Sequence, residues 1–248
     1  MQKVLRIAFA LAVLFPLSAF ADDEETEKHD FLFLLEEAYT QEDGESQLGA
    51  SLSHATDAAE WEMEAEFEYG LTDRLQVSIE VPIVKGRSDS PEIEELEFGV
   101  AYALVLEDAS ILPTVTAAAS VQAPLSADGD WEYTTSLNTS KQVSDALFLY
   151  TNLAGAFVSN DAISGVSGWS AGLGVAWEAA DETWLIAEIL HEEEADLDQG
   201  RKVWEQANFA SFGLGFEPID DVIIGAAYAH AFDDSDDSRL IIQAQVEW

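Results

Sequence analysis

The 248-residue sequence predicts an all-β fold, a transmembrane up-and-down antiparallel β-barrel of about twelve strands behind a cleaved leader. Three observations predict it. The chain closes on Leu240-Ile241-Ile242-Gln243-Ala244-Gln245-Val246-Glu247-Trp248, where Leu240, Ile242, Ala244, Val246 and Trp248 share one strand face and the intervening residues the other. The same period-2 alternation recurs from about residue 47 onward. No apolar run beyond the leader approaches the roughly 20 residues that a spanning helix needs, so a membrane form must cross as strands.

The leader comes first in the chain. Lys3 and Arg6 form a short basic stretch, Ile7 to Leu17 is apolar and broken by Pro16, and Ala19-Phe20-Ala21 is a small-x-small cleavage site. Residues 1–21 therefore read as a secretory signal peptide rather than an anchor helix. Residues 22–45 read as an N-terminal periplasmic or plug segment: Asp22 to Asp30 is acidic, and Phe31–Tyr39 is apolar and aromatic. The latter is a short plug, a cap packed into the barrel, or a further strand. Residues 46–248 are the expected barrel.

Along that barrel the strands are expected at about 47–55, 60–70, 74–84, 93–105, 112–123, 131–142, 146–158, 167–178, 183–192, 203–216, 221–232 and 239–248. The cleanest is Trp61-Glu62-Met63-Glu64-Ala65-Glu66-Phe67-Glu68-Tyr69, apolar and acidic by turns. On a helix its glutamates would ring the circumference; on a strand they form one stripe. Leu75 to Ile83, Leu96 to Leu104, Val115 to Val121, Trp131 to Leu137 and Trp169 to Trp177 repeat the pattern. The segments 47–55, 183–192 and 203–216 are the weakest, which leaves ten strands open.

The connections alternate as well. Short turns are expected near Leu71-Thr72-Asp73, Glu107-Asp108-Ala109, Ser144-Asp145, Ala180-Asp181 and Ile219-Asp220. Longer polar loops are expected near Lys85–Glu92, Leu125–Asp130, Ser159–Gly165, Glu192–Lys202 and Asp233–Ser238. That is a meander with tight periplasmic turns, larger outside loops and both ends periplasmic, hence an even strand count. Trp61 and Tyr69, like Trp169 and Trp177, stand eight residues apart on the apolar face. Eight tilted residues cover roughly 21 Å, close to the expected apolar band of about 25 Å, so each pair puts one ring at each interface. Trp248 is a fifth interface aromatic.

Charge sets the character of the inner face. Removing residues 1–21 takes away Lys3 and Arg6 and no acid, leaving 8 bases against 49 acids, about −41. Nucleic acid and anionic membrane surfaces are poor partners for such a field taken as a whole. The absence of cysteine excludes disulfides and thiolate chemistry. With apolar residues toward lipid, Glu62, Glu64, Glu66 and Glu68 line one wall, with Glu80, Glu95 and Glu97 beside them, Glu132, Glu178, Glu188 and Glu247 further round, and Arg74 the clearest inward base. The first seven glutamates and Arg74 are the candidates for ion selectivity. Carboxylates about 7 Å apart in a low-dielectric lumen need counter-cations or ordered water. The lumen is expected to attract cations and to accommodate hard divalent ions, against the plainer reading of a solvated acidic wall. Acidic loops such as Asp233–Asp237 lack the glycine and distal glutamate of an EF-hand.

The segment Phe33-Leu34-Leu35-Glu36-Glu37-Ala38-Tyr39-Thr40-Gln41-Glu42-Asp43-Gly44, followed by Phe67 to Pro82, resembles the Gram-negative outer-membrane proteins of the MetA-pathway phenol-degradation family, grouped as transporters. The pieces Glu97–Tyr102 and Gly172–Trp177 are similar to that family's repeated hairpins. The resemblance covers most of the mature chain and implies an outer-membrane barrel. It brings no catalytic residues, because its motifs are turn and strand patterns. The final strand is also similar to the C-terminal signal read by the barrel-assembly machinery.

No catalytic site is expected. The four histidines, His29, His54, His191 and His230, sit in no nucleophile motif, and no zinc spacing or phosphate loop appears. No metal site and no cofactor are assigned. The expected function is passive, cation-preferring passage or binding of small solutes in the bacterial outer membrane. The alternative is a non-conducting envelope barrel, with a soluble periplasmic β-protein behind it. The expected partners are outer-membrane lipid and lipopolysaccharide, the assembly machinery and small solutes.

Overall fold

In the computed structural model the described residues are 31–56, 61–85, 92–93, 95–107, 112–126, 129–159, 165–198, 201–232 and 238–248. The signal-peptide assignment, His29 and the acidic loop Asp233–Asp237 lie outside them. Twelve strands follow one another: β1 (Ser46–Ala55), β2 (Trp61–Thr72), β3 (Leu75–Lys85), β4 (Glu95–Val105), β5 (Thr114–Pro124), β6 (Glu132–Ser144), β7 (Leu147–Val158), β8 (Val166–Ala180), β9 (Thr183–Asp198), β10 (Arg201–Ile219), β11 (Val222–Ala231) and β12 (Arg239–Glu247). Each pairs antiparallel with its neighbours, and β12 returns to β1 to close the barrel. Closure leaves no edge strand, the condition for a sheet to sit in lipid.

The seam is set by the terminal alternation. Gln47↔Glu247, Leu48↔Val246 and Leu52↔Ile242 put like faces together across it. Backbone bonds Ser46 N–H to Trp248 O (3.0 Å) and Trp248 N–H to Ser46 O (2.9 Å) finish the seam at the rim holding both barrel ends, here the turn rim. Hairpin turns at Asp181-Glu182 and Asp220-Asp221 sit on the same rim, with Glu182 (φ 58°) and Asp221 (φ 67°) left-handed and a register shift beside each turn, the pattern of a hairpin closed through a bulge. The opposite end is the loop rim. Leu48, Phe67, Phe98, Val100, Tyr102, Leu153, Phe212, Leu214, Ile224 and Ile242 are exposed on the outer surface. The apolar face therefore looks outward, as a lipid-facing barrel requires.

One connection departs from the sequence reading. Among the described residues of the expected loop Glu192–Lys202, 192–198 and 201–202 are strand. β9 and β10 instead pair straight through it, from Ala207↔Glu192 to Arg201↔Asp198, making an arm that extends the loop rim. A hairpin beyond the membrane needs no apolar stripe, so its acidic sequence hid a regular ladder. Between β4, which ends at Val105, and β5, which begins at Thr114, Asp108 and Ala109 of the expected short turn lie outside the described residues.

The core sits inside the barrel. Residues 31–45 enter the lumen as a plug without helix or strand. Phe31, Leu32, Phe33 and Leu35 are buried with Phe148, Tyr150, Ile186, Leu190, Phe209, Ala227 and Ala229 of the β7–β11 wall. The wall makes room by omitting side chains. A Cβ at Gly172 would lie 2.1 Å from Leu35 Cδ2, at Gly213 2.3 Å from Phe33 Cε2, and at Gly225 2.2 Å from Phe31 Cε1.

Candidate functional site

An irregular segment inside a barrel must find partners for its backbone groups, since no ladder supplies them. Inward polar side chains do this here. Glu188 of β9 is 2% exposed and accepts from the N–H groups of Phe33 (3.2 Å), Leu34 (3.1 Å) and Leu35 (3.2 Å), and from Ser211 Oγ (2.6 Å). Further along, Ala38 N–H donates to Ser140 Oγ (3.1 Å), Thr116 Oγ1 donates to Ala38 O, and Gln41 N–H donates to Gln76 Oε1 (2.8 Å). The plug thus crosses from the β9–β11 wall to the turn rim of β1–β3, where Thr40 bonds Asp73 O.

The plug's apolar side chains pack against the β7–β11 side of the lumen, where a cavity of about 180 Å³ remains toward the loop ends of β6–β9. On the other side a cavity of about 530 Å³ remains, lined by plug residues and by the inner faces of β12 and β1–β6. The alternation of β2 aims Glu62, Glu64, Glu66 and Glu68 into it, and Glu80 and Glu97 join them from the next two strands. Register brings three of these together: Glu66 faces Glu80, and Glu80 faces Glu97. The row continues through Glu97↔Gln122 and Gln122↔Glu132. Facing Cβ atoms in such rows are about 5 Å apart, and like charges so placed repel. Gln122 Nε2 donates to Glu97 (2.9 Å), Gln76 Nε2 donates to Glu68, and Gln41 Nε2 lies 3.5 Å from Glu68. The plug adds Glu36, which accepts from Ser136 Oγ and Asn138 Nδ2 (2.9 Å each).

The remaining candidates lie elsewhere. Glu95 shares the inward face of β4 but stands at the loop rim, outside the cavity lining. Arg74 lies in the β2–β3 turn, exposed, its guanidinium donating to Ala103 O (3.2 Å), and does not line the cavity. Arg239 does, with its guanidinium 5.2 Å from the Phe209 ring centroid. It is the sole base among the described lining residues. Lys141 is paired with Glu107 near the turn rim. Among the described residues no group of three or more histidine or acidic side chains is disposed to hold a metal ion.

The aromatic candidates lie on the outer face. Trp61, Tyr69, Trp177 and Trp248 are exposed. Trp169 is half-buried, with Nε1 donating to Glu193 (2.8 Å) and its ring 4.9 Å from that of His191. Sequence reasoning places Glu188 on the inner face but misses its role as a clamp, and it misses the glycines that receive the plug. The available signal was an inner face carrying Gly172, Gly174, Gly213, Gly215 and Gly225 where the opposite wall carries glutamates.

Neither a protein-family model nor a curated protein matches the sequence. By structure the chain is similar to an outer membrane channel from Pseudomonas putida F1, at 12% identity over 85% of this chain and 98% of that one, with a TM-score of 0.67. It is also similar to the NanC porin (13% identity, 80% and 98% covered, TM-score 0.60) and to the KdgM porin (10% identity, 81% and 98% covered, TM-score 0.59). At these identities the likeness shows the fold, an outer-membrane β-barrel closed by twelve strands.

Proposed function

We propose that the chain is a bacterial outer-membrane barrel that passes or binds small solutes, with a preference for cations, through the lumen left beside its plug. The observation that carries this reading is the in-register row Glu66–Glu80–Glu97 on the wall of a 530 Å³ cavity whose described lining holds a single base. Facing carboxylates raise the local concentration of cations and repel anions, which is selection by electrostatics rather than by a ligand cage. Channel and porin structures of the same fold support passage as the coarser function. The finer assignment to the MetA-pathway phenol-degradation group belongs to the same proposal. So do a leader at 1–21, a plug segment within 22–45, recognition of the C-terminal strand by the assembly machinery, and a role without catalysis.

The test is planar-bilayer conductance of the refolded mature chain under a salt gradient. Discrete cation-selective steps that lose selectivity when Glu62, Glu64, Glu66 and Glu68 are changed together to Gln would support the reading; anion preference would sink it. A second reading, a barrel that conducts nothing, is favoured by the fit of Phe31, Phe33 and Leu35 into the glycine recesses. Silence of a correctly folded barrel, ended by deleting residues 31–41, would select it.

A further inference from the structure

The outward face of five adjacent strands, β11, β12, β1, β2 and β3, shows a segregation of charge that solute passage does not require. The chain carries 49 acids against 10 bases. Yet the outward positions of these strands are apolar for most of their length: Ala50 and Leu52 on β1, Met63, Ala65 and Phe67 on β2, Val77 to Ile83 on β3, Ile224 and Ala226 on β11, Ile242, Ala244 and Val246 on β12. The β2 glutamates all turn inward, Glu62 lying opposite Ser53 and Val84 on the other face.

Near the loop rim the outward face changes character within a single register row. Tyr228 pairs with Leu240, Leu240 with His54, His54 with Trp61, and Trp61 with Lys85. At ~4.8 Å between neighbouring strands, this row runs roughly 19 Å around the barrel. His230 stands two residues beyond Tyr228 on the same face. The His54 ring stacks on Trp61 at 4.1 Å and 8°. His230 lies 6.4 Å from the Tyr228 ring and 5.1 Å from Phe232, and its Nδ1 is 3.2 Å from Ser238 Oγ. Lys85, His230, Trp61 and Tyr228 are exposed. The opposite wall differs. There the outward row is Trp169↔Glu193↔Gln206, and it holds a carboxylate already bonded to Trp169 Nε1 (2.8 Å) and Gln206 Nε2 (3.2 Å).

One rim sector thus gathers an ammonium, two imidazoles and two large aromatics, with no outward acid among its described residues, directly above an apolar strip. Rings of this kind sit at headgroup depth, and Lys side chains there attract anionic lipid. We propose that this sector is a docking surface for an anionic phosphate-bearing lipid headgroup of the outer leaflet. Lys85 supplies the charge, His230 a hydrogen-bond donor, and Tyr228 and Trp61, the latter stacked on His54, the platform, while the acyl chains lie along the strip below. The proposal rests on the reading of the chain as an outer-membrane barrel and is independent of whether it conducts.

The test is native mass spectrometry of the refolded mature chain in detergent, its folding verified by heat-modifiable gel migration. The probes are short-chain phosphatidic acid and phosphatidylcholine of equal chain length. The wild-type barrel should prefer the phosphatidic acid. Lys85→Gln, a change at an exposed site that leaves the fold intact, should weaken that lipid about fivefold, and combination with His54→Gln and His230→Gln roughly tenfold or more. Phosphatidylcholine binding should not change. Lys202→Gln on the opposite wall should leave phosphatidic acid binding near wild type. Undiminished binding by the triple variant overturns the proposal, as does an equal loss with Lys202→Gln, which would mean attraction to charge in general. Failure to form a heat-modifiable barrel would overturn the outer-membrane reading as well, and a folded barrel without lipid preference would overturn the docking surface alone.

Discussion

Glu188 is the residue on which the plug depends most. A carboxylate 2% exposed is costly unless its oxygens are occupied, and here three backbone N–H groups and the Ser211 hydroxyl occupy them. Glu188→Ala strands those donors, each at a cost of about 1–3 kcal/mol. The expected outcome is a folded barrel whose residues 31–38 lose protection in amide hydrogen exchange; unchanged protection there would remove the clamp from the account. Glycine 213 makes the complementary case by sterics. Its missing Cβ would meet Phe33 Cε2 at 2.3 Å and Ala227 Cβ at 2.7 Å. Gly213→Val should expel the Phe33 ring and make the plug a substrate for limited proteolysis while the barrel stays resistant. Neither role follows from residue type. A buried glutamate and a strand glycine are ordinary in isolation, and only the approach of residues 155 positions away along the chain gives Glu188 its task.

Strands read differently from single residues, because alternation is a property of the element. β12 was legible in full: Leu240, Ile242, Ala244 and Val246 face out, and Ile241 is buried inside. Ile242, paired with Leu52 and Ala226 on the flanking strands, lies within the apolar band. Ile242→Arg should destabilise the barrel by about 2–4 kcal/mol, the cost of a cation at the bilayer midplane. Reversible urea unfolding in lipid vesicles measures it, and a loss below ~1 kcal/mol would place that face outside lipid. The arm formed by β9 and β10 was the least legible element. Acids, an alanine and a leucine between Glu192 and Leu197 carry no lipid face, so hydropathy could not distinguish ladder from loop. Cross-strand pairing distinguishes it: Trp169 Nε1 and Gln206 Nε2 both bond Glu193.

The whole molecule divides its lumen by chemistry. Apolar plug side chains occupy the wall that offers glycine recesses, and the glutamate wall keeps the cavity of about 530 Å³. Both halves should therefore report in one experiment. Deleting residues 31–41 should raise single-channel conductance severalfold and weaken cation selectivity, since the lumen widens and Glu36 is lost, while changing Glu66, Glu80 and Glu97 to Gln should reduce selectivity at nearly constant conductance. Equal selectivity in wild type and the triple Gln variant would separate the carboxylate row from ion choice. The outward direction of Trp61 and Tyr69 is readable from alternation alone, as is the inward direction of Glu62 to Glu68. Arg74 was assigned inward by parity alone, but it belongs to a turn, where parity ends and the guanidinium reaches Ala103 O instead.

By itself the sequence determined what depends on local period: strands rather than helices, which side of each strand is apolar, and an inner face rich in carboxylate. Those are set residue by residue, because a pleat sends neighbours to opposite sides whatever lies around them. The tertiary structure alone decided what depends on register and on distant contact. Register set Glu66, Glu80 and Glu97 opposite one another and aligned Tyr228, Leu240, His54, Trp61 and Lys85 across the rim. Contact between the N-terminal segment and strands more than a hundred residues later decided that Phe31 to Leu35 is a plug. An apolar pentad has no preferred partner until the closed barrel presents recesses of its shape, and a backbone without a ladder has no partner until Glu188, Ser140 and Gln76 come round to meet it.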